Sequence, residues 1–385
     1  MLSKPFSLFL VYVLTIFNFA ILTLPFLVAI FPFIHIDGDK IVFAKYITFN
    51  PKIALLTLIF IISFLMMCYL FLDFILGFSV RSALKGCQRY DKIQGYKFLH
   101  NTFEEVRAKF SCKSVKLYIK DSEEINAFAV GGMSRKAVAI TSGLIEHYTK
   151  NTENDQQFFS AIRSILGHEM SHLINKDFLP GLLIMINQKV TNFVSSILML
   201  FFHIIIQCFT YLRVQNRKVA TMIMAIYNIS DWILTSFSRL IVYHIYEFLR
   251  NFFGRAIEYR CDRQSAKAFG GINMAFALSL LGKSGYFTLF STHPATEKRM
   301  KKVEIVEEKN AVIHPALLSK ISNFASIMIL PLICFYAAHL SKADLVIQHY
   351  AYYHHPEFYS KALNLYSSVC TLLELLLKNL NDLLI

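Results

Sequence analysis

Two long apolar runs dominate the first eighty residues of the chain. Phe6 to Ile34 is an almost uninterrupted apolar run preceded by Lys4, and Ile53 to Phe78 is a second one. Each run exceeds the roughly 20 residues that a helix needs to cross a lipid bilayer. The first run is also too long for the apolar core of a cleaved signal peptide, and no small-x-small cleavage site follows it. We therefore predict two N-terminal transmembrane helices within residues 1–80.

The second half of the chain carries further apolar stretches. Val190–Leu212 and Val219–Leu249 are separated by a short, basic connection, which predicts an apolar helical hairpin over residues 182–250 that inserts fully or partly. Residues 321–340 are long enough to span a bilayer, and an interfacial or domain-packing helix is an equal alternative. Apolar residues from Tyr366 to Leu384 recur in steps of four and three, which predicts an amphipathic tail helix over residues 363–385. Such a seam suits docking at the membrane interface or a homo-oligomer formed through this C-terminal tail helix.

In the segment between these apolar regions, apolar and polar residues alternate in the patterns of amphipathic helices and strands. Residues 80–110 have the pattern of a mixed amphipathic helix, and three short segments then alternate apolar and polar positions, as strands do: Val115–Lys120, Ile125–Val130 and Ala137–Thr141. From Phe158 to Ile174 the apolar residues recur at spacings of three and four, which predicts a half-buried helix. The fold class that follows is an integral membrane protein, mainly α with a small β-sheet.

Composition and charge support membrane insertion. The 385 residues are 55% hydrophobic, which is too apolar for an ordinary soluble protein. The formal net charge of +13 is no sign of a nucleic-acid partner, because the basic residues cluster beside apolar spans and no basic–aromatic module is present. Between Arg81 and Lys120, ten basic residues stand against three acidic ones. The positive-inside rule therefore places the domain of residues 81–305, which the apolar hairpin 182–250 interrupts, in the cytoplasm, and residues 306–385 form a C-terminal extension.

A metal-binding motif lies on the helix predicted around Phe158–Ile174. His168 and His172 are four residues apart, so their side chains project from the same side of a helix, one turn apart. Glu169 lies at the flank of that face, where it can take a proton from an attacking water without being a ligand. One Zn²⁺ ion per chain is the cofactor that this pattern predicts. Alone, the motif arises by chance in roughly one chain of this length in a hundred, so two helical histidines bonded to backbone or water are the alternative.

A third ligand is required by the zinc hypothesis, and the segment around Glu258 offers one. Residues 255–266 form a good helix that ends at Gly270 and Gly271. Glu258 and Asp262 lie one turn apart on one face of it. From spacing alone, a salt-bridge pattern on a charged surface helix is the slightly better interpretation.

At family level, the chain resembles the HtpX-type membrane zinc metallopeptidases, relatives of the CAAX prenyl proteases and of the mitochondrial Oma-type peptidase. Two predicted spans before the motif and an apolar hairpin after it fit the same arrangement. The resemblance covers roughly residues 1–305. Four blocks carry it in the family's order: residues 126–131 with 141–144, 167–172 with 175–177, 258–262, and 292–299.

The resemblance implies a zincin-like peptidase domain with assigned residues. His168, His172 and Glu258 would hold the zinc, and Glu169 would be the general base. Asp262 would orient a ligand imidazole, and Arg299 would brace the Glu258 helix or face the cleft. His293 would donate to the tetrahedral oxyanion, and Asn126 and Ala127 would lie on a substrate-binding edge strand. The sequence departs from the family at Cys261, where Ala is usual.

The resemblance also implies a function and a location. The expected activity is zinc-dependent endopeptidase action on polypeptides, in particular membrane proteins, as quality control at the bacterial inner (plasma) membrane, with the active site facing the cytoplasm and the lipid bilayer as a partner. One alternative is prenyl-protein processing, although the CAAX relatives have more spans than this chain shows. Another is an inactive membrane scaffold, although inactive relatives generally lose the base or a ligand.

Overall fold

The computed structural model describes residues 34–37, 40–43, 47–49, 51–179, scattered positions from 181 to 204, residue 232, and residues 254–281, 295–342 and 345. The chain forms two compact units, and one of them contains the described residues from 65 to 330. All candidate site residues that the structure describes lie in this unit. The first predicted span, most of the hairpin, His293 and the tail helix lie outside the described residues.

The described part of the chain is mainly helical, with two small sheets. The first sheet has the order β1-β2-β3, formed by Ile34–Asp37, Lys40–Phe43 and Ile47–Phe49, and all its pairs are antiparallel. The second has the order β4-β5-β7-β6. Its strands are Cys87–Arg89, Lys116–Lys120, Ala127–Gly131 and Lys136–Thr141 for β4 to β7. β5 and β7 run parallel, while β4 and β6 pair antiparallel at the two edges.

The three strands predicted from alternating polarity are confirmed as β5, β6 and β7 within two residues at each end. The helix predicted for residues 80–110 is only partly correct. Short helices occupy Phe78–Ala83 and His100–Lys109, and β4 with two 3-10 turns lies between them. β4 contains Cys87, Gln88 and Arg89, which show no apolar alternation, and pairing with β5 fixes it as a strand.

The helix that carries the predicted metal motif, here called the motif helix, spans Asp155–Ile174. Asn154 caps it, since its side-chain oxygen accepts a hydrogen bond of 2.9 Å from the Gln157 amide. The apolar side of the motif helix joins β5, β7 and the helix Ser142–Asn151 in the largest core cluster, which includes Ile162, Leu166, Met170 and Leu173. Packing on both sides leaves His168 only 4% exposed. The sheet and core thus hold the motif helix as a rigid support.

A second helix, here called the Glu258 helix, occupies residues 254–269 and ends at Gly270, which adopts a positive φ of 93°. Its predicted end is confirmed, and the helix Gly271–Leu280 follows directly. The Glu258 helix approaches the motif helix closely at Gly167. A Cβ atom at Gly167 would lie 2.8 Å from both Phe269 Cε2 and Ser265 Oγ. The absence of a side chain at Gly167 therefore sets how near the two helices lie.

Two described helices are long and apolar enough to cross a bilayer. They are Leu56–Leu76, within the helix Pro51–Leu76, and Leu317–Leu340, here called the Ser319 helix, which contains Pro331. Both helices were expected from the apolar runs. Length and composition alone are weak evidence for a membrane span, because the core helix of a soluble protein passes the same test.

Replacing Gly167 by Ala should lower the free energy of unfolding by about 1–3 kcal/mol, because the added methyl group overpacks the contact with Phe269 and Ser265. A lower midpoint of thermal unfolding by circular dichroism measures the effect. Gly181→Ala is the matched control, since a Cβ there meets nothing within 4 Å. Equal midpoints for the two variants would contradict the proposed close approach.

Candidate metal centre

Three side chains from the two helices converge at one point. The Nε2 atoms of His168 and His172 are 3.2 Å apart. The Glu258 carboxylate faces both rings, with Oε2 at 3.5 Å from His168 Nε2 and Oε1 at 3.5 Å from His172 Nε2. These residues form one of two groups of potential metal ligands among the described residues. The structure thus brings together the three residues predicted as ligands.

The spacing of these atoms fits a tetrahedral zinc ion. Zinc binds His nitrogen and carboxylate oxygen at about 2.0–2.1 Å, so two ligand atoms on a tetrahedral ion are about 3.3 Å apart. The three separations here are 3.2, 3.5 and 3.5 Å. Two imidazoles and one carboxylate are also a ligand set that catalytic zinc sites use. The geometry and chemistry of the donor set therefore fit the predicted cofactor.

Asp262 links His168 to a buried arginine. Its Oδ1 atom lies 2.8 Å from His168 Nδ1, on the side of the ring opposite the converging Nε2 atom. Arg299 donates two hydrogen bonds of 2.7 Å to the Asp262 carboxylate, and its guanidinium also lies 3.4 Å from Glu258 Oε2. Asp262 and Arg299 are 0% and 6% exposed. This arrangement suits the role implied for Asp262, which is to orient a ligand imidazole, and it places Arg299 against Asp262 and Glu258 of the Glu258 helix.

His172 has a separate carboxylate partner, Asp177, to which the sequence analysis gave no role. The turn after the motif helix explains the contact. Lys176 has a φ of 52°, its amide bonds to Leu173 O, and the Asp177 amide bonds to His172 O at 3.0 Å. This is a Schellman motif, which brings the residue after the left-handed position back along the helix. Asp177 Oδ2 therefore lies 3.0 Å from His172 Nδ1.

Two residues of the Glu258 helix complete the surroundings of His172. Arg260 forms an ion pair with Asp177, and the Cys261 sulfur lies 3.4 Å from His172 Nδ1. Cys261 is 0% exposed and contacts His172, a candidate ligand. The family usually has Ala at this position, and Cys is also a small side chain. In the sequence, the only signal of the contact between Asp177 and His172 was that Asp177 lies five residues after this histidine.

The carboxylates change the protonation of both histidines. Burial acts to lower the pKa of His168, but Asp262 and Glu258 outweigh it and raise that pKa to about 10. Burial has the same effect at His172, where Cys261, Asp177 and Glu258 together raise the pKa well above its usual value. Burial acts to raise the pKa of Asp262, but hydrogen bonds from Arg299 and His168 lower it. The neighbouring carboxylates therefore favour the protonated form of each histidine in the metal-free centre.

The other predicted site residues are placed as follows. Glu169 lies beside His168 on the motif helix and is 9% exposed. Asn126 directly precedes β6, and Ala127 is its first residue. β6 is an edge of the sheet and packs against the motif helix. His293 lies outside the described residues.

The comparisons with known proteins decide the family. Residues 96–307, more than half of the chain, match the model of peptidase family M48. The chain belongs to peptidase family M48. It is an HtpX-type metallopeptidase, an enzyme that hydrolyses peptide bonds, so the predicted recognition and enzyme class are confirmed.

The curated relatives are similar but distant. A protein named Protease HtpX from Wigglesworthia glossinidia brevipalpis is 24% identical over 232 residues, which cover 55% of this chain and 73% of the relative. A Protease HtpX homolog from Neisseria meningitidis serogroup B is 27% identical over 229 residues, with 54% and 72% covered. Protease HtpX from Hahella chejuensis is 26% identical over 226 residues, with 53% and 70% covered. The Ser319 helix lies beyond the residues that match the M48 model.

Asp262→Asn should weaken zinc binding by roughly 10–100-fold, because the neutral amide is a poorer partner for His168 Nδ1 and leaves the Arg299 charge uncompensated. Competition with a chromogenic chelator measures the affinity. Asp91→Asn is a matched control that also removes a carboxylate paired with an arginine, Arg89, but at the exposed surface. An unchanged affinity in Asp262→Asn would contradict an orienting role for Asp262.

Zinc affinity of the metal-free enzyme should rise as the pH increases. Because the pKa values of His168 and His172 are both raised, protons compete with the metal for the imidazoles around neutral pH. The affinity should rise by up to about tenfold per pH unit for each displaced proton. Calorimetric titrations in buffers of different ionisation enthalpy count the protons released. A zinc affinity that is constant with pH would contradict this expectation.

The stability of the metal-free fold should have the opposite pH dependence. The pKa of His168 is raised from 6.5 to about 10, so its contribution to stability is fully present below pH 6.5. That contribution is lost as the pH rises through about 10. The midpoint of thermal unfolding of chelator-treated protein should therefore fall across this window. A midpoint that rises instead would show that the histidine carries no proton in the folded metal-free state.

Proposed function

We propose that this M48 peptidase is a membrane-bound zinc endopeptidase in which His168, His172 and Glu258 hold one zinc ion and Glu169 is the general base. The observation that carries the proposal is the convergence of two Nε2 atoms and a carboxylate at 3.2–3.5 Å, beside a buried glutamate. When bound, zinc would supply a Lewis acid that polarises the scissile carbonyl and lowers the pKa of the attacking water.

The remaining steps belong to side chains of this chain. The Glu169 carboxylate accepts a proton from the attacking water and then delivers it to the nitrogen of the leaving amine. Asp262, which accepts two hydrogen bonds from Arg299, lies 2.8 Å from His168 Nδ1, so that Nε2 of the ring points to the metal position. Asp177 does the same for His172 through its own Nδ1 atom. In this proposal His293 is the donor to the oxyanion, on the basis of the family resemblance.

The substrate would bind along β6. This strand is an edge of its sheet and packs against the motif helix, so its free side can pair with an extended peptide. Asn126 and Ala127 stand at the beginning of the strand. Main-chain pairing does not depend on the peptide's sequence, which suits an enzyme that degrades polypeptides of varied sequence, such as misfolded membrane proteins.

A membrane location is supported by the surface of the Ser319 helix. Along residues 317–326 its serine and asparagine side chains are buried and its large apolar side chains are exposed: Ser319, Ser322, Asn323 and Ser326 are at most 7% exposed, whereas Leu317, Leu318, Ile321 and Phe324 are 55–72% exposed. A helix of a soluble protein has the opposite arrangement. A helix in lipid turns its polar groups towards the protein, because hydrocarbon offers them no partners. The proposed orientation, with the catalytic domain in the cytoplasm, rests on the basic segment 81–120.

Replacing Glu169 by Gln should keep one zinc per chain and abolish the hydrolysis of an unfolded protein such as casein, because an amide cannot accept the proton of water. Replacing Glu258 by Ala should remove the zinc and the activity together. Metal analysis and casein cleavage by detergent-purified protein measure both effects. The control is Glu146→Gln, an exposed glutamate on the helix Ser142–Asn151.

The outcomes separate the parts of the proposal. Wild-type turnover in Glu169→Gln would exclude Glu169 as the base. Zinc that persists in Glu258→Ala would place the third ligand elsewhere. A wild-type protein with neither zinc nor hydrolysis would favour an inactive membrane scaffold.

A further inference from the structure

The Ser319 helix contacts the end of the motif helix through one buried residue, Asn175. Asn175 follows the last residue of the motif helix, is 0% exposed, and lies three positions after His172. Its main-chain oxygen accepts hydrogen bonds from Ser319 Oγ at 3.0 Å and from Asn323 Nδ2 at 2.8 Å. Its side-chain oxygen accepts a third bond of 3.0 Å from the Ala316 amide. The beginning of the Ser319 helix therefore forms three hydrogen bonds with the residue that ends the motif helix.

These contacts satisfy main-chain groups that a helix end leaves without partners inside the helix. The last four carbonyl groups of a helix have no intrahelical partner. In the motif helix, Ser171 O accepts from the Asn175 side chain, while the Schellman turn supplies donors to His172 O and Leu173 O. The carbonyl of Asn175, the residue that follows the last helical position, accepts two hydrogen bonds from the Ser319 helix. Hydrogen bonds from the Ser319 helix to Asn175 thus stabilise the turn that brings Asp177 to His172.

The same segment also reaches the Glu258 helix. Asn175 Nδ2 donates to Gln264 Oε1 at 2.7 Å, and Ser171 Oγ donates to the same oxygen. Gln264 Nε2 in turn donates to the main-chain oxygen of His314, just before the Ser319 helix, at 3.1 Å. The helices that carry the proposed zinc ligands therefore share one hydrogen-bond network with residues 314–323.

We propose that Ser319 and Asn323 are positioning residues for the metal centre, acting through the main-chain oxygen of Asn175 on the turn that places Asp177 against His172. This inference rests on the proposed function, because it takes His172 as a zinc ligand. It gives a role to a helix that begins beyond residue 307, where the match to the M48 family ends. The apolar outer face of the helix would lie in lipid, so the zinc geometry of this enzyme depends on a membrane-embedded element outside the family domain.

The test compares three variants of the full chain in lipid nanodiscs. The double variant Ser319→Ala, Asn323→Leu removes both donors to Asn175 O at nearly constant volume. Ser319→Thr is the conservative variant that keeps a hydroxyl group. Ser326→Ala is the matched control, since Ser326 is 1% exposed on the same helix but donates to Ser322 O of its own helix.

Three readouts separate positioning from simple stabilisation. They are zinc affinity by chelator competition, kcat on casein at saturating zinc, and the visible absorption bands of the cobalt-substituted protein, which report ligand geometry. In the double variant we expect zinc affinity to fall roughly tenfold, as for other residues that orient metal ligands, together with a lower kcat and shifted cobalt bands. Ser319→Thr should keep most of the wild-type zinc affinity and kcat, and Ser326→Ala should match the wild type.

Each outcome bears on the inference. A double variant that loses only thermal stability, with wild-type zinc affinity, kcat and cobalt spectrum, would overturn it. Equal losses in Ser326→Ala would also overturn it, because they would reflect a general effect on the helix. A wild-type protein that binds no zinc would instead overturn the proposed function, and this inference with it.

Discussion

The metal centre depends on one electrostatic constraint: charged side chains buried in the protein must be paired. His168, Glu258, Asp262 and Arg299 are each at most 6% exposed. A buried charge without a partner costs several kcal/mol, so each of these groups needs a partner at hydrogen-bonding or ion-pair distance. Arg299 compensates Asp262 and lies beside Glu258, and the two carboxylates face His168. The ring is thereby held with Nδ1 towards Asp262 and Nε2 towards His172.

Helix proximity makes this pairing geometrically feasible. The motif helix and the Glu258 helix carry all three candidate ligands, and their ligand atoms meet only if the helix axes are close. Gly167 permits that approach because it has no side chain, and Ser265 uses it to donate a hydrogen bond of 2.6 Å to Ser164 O. Cys261, fully buried between Asp177 and His172, stands where the family usually has Ala, and its small sulfur side chain fits the space.

In the proposed membrane location, the Ser319 helix would join the peptidase domain to the bilayer. Ser319 and Asn323 donate to Asn175, and Ser326 donates to the backbone of its own helix, while the large apolar side chains nearby face outwards. A peptidase domain held in this way would have the end of its motif helix close to the bilayer. Substrates that emerge from the membrane would then reach the β6 edge without diffusing into bulk water.

The sequence by itself determined the local elements and the chemistry. Alternation of apolar and polar residues predicted β5, β6 and β7, and periods of three and four predicted the motif helix, because these patterns depend on local geometry alone. The His168-Glu169-His172 spacing predicted a metal site for the same reason. For Glu258, spacing alone favoured a surface salt bridge, and only the family resemblance assigned it as a ligand. The peptidase class is confirmed by the match to family M48.

Tertiary structure alone decided which residues meet across the chain. Glu258 lies ninety positions after His168, and no local period reports that their side chains face each other at 3.5 Å. Asp177 and Arg260 were missed because their roles arise from a helix-ending turn with a left-handed lysine and from the crossing of two helices. β4 was missed because its pairing with β5, rather than its own polarity, makes it a strand. The polar residues of the Ser319 helix can be identified in the sequence. Their contact with Asn175 is visible only once the chain has folded, since burial and hydrogen-bond pairing are properties of the whole structure.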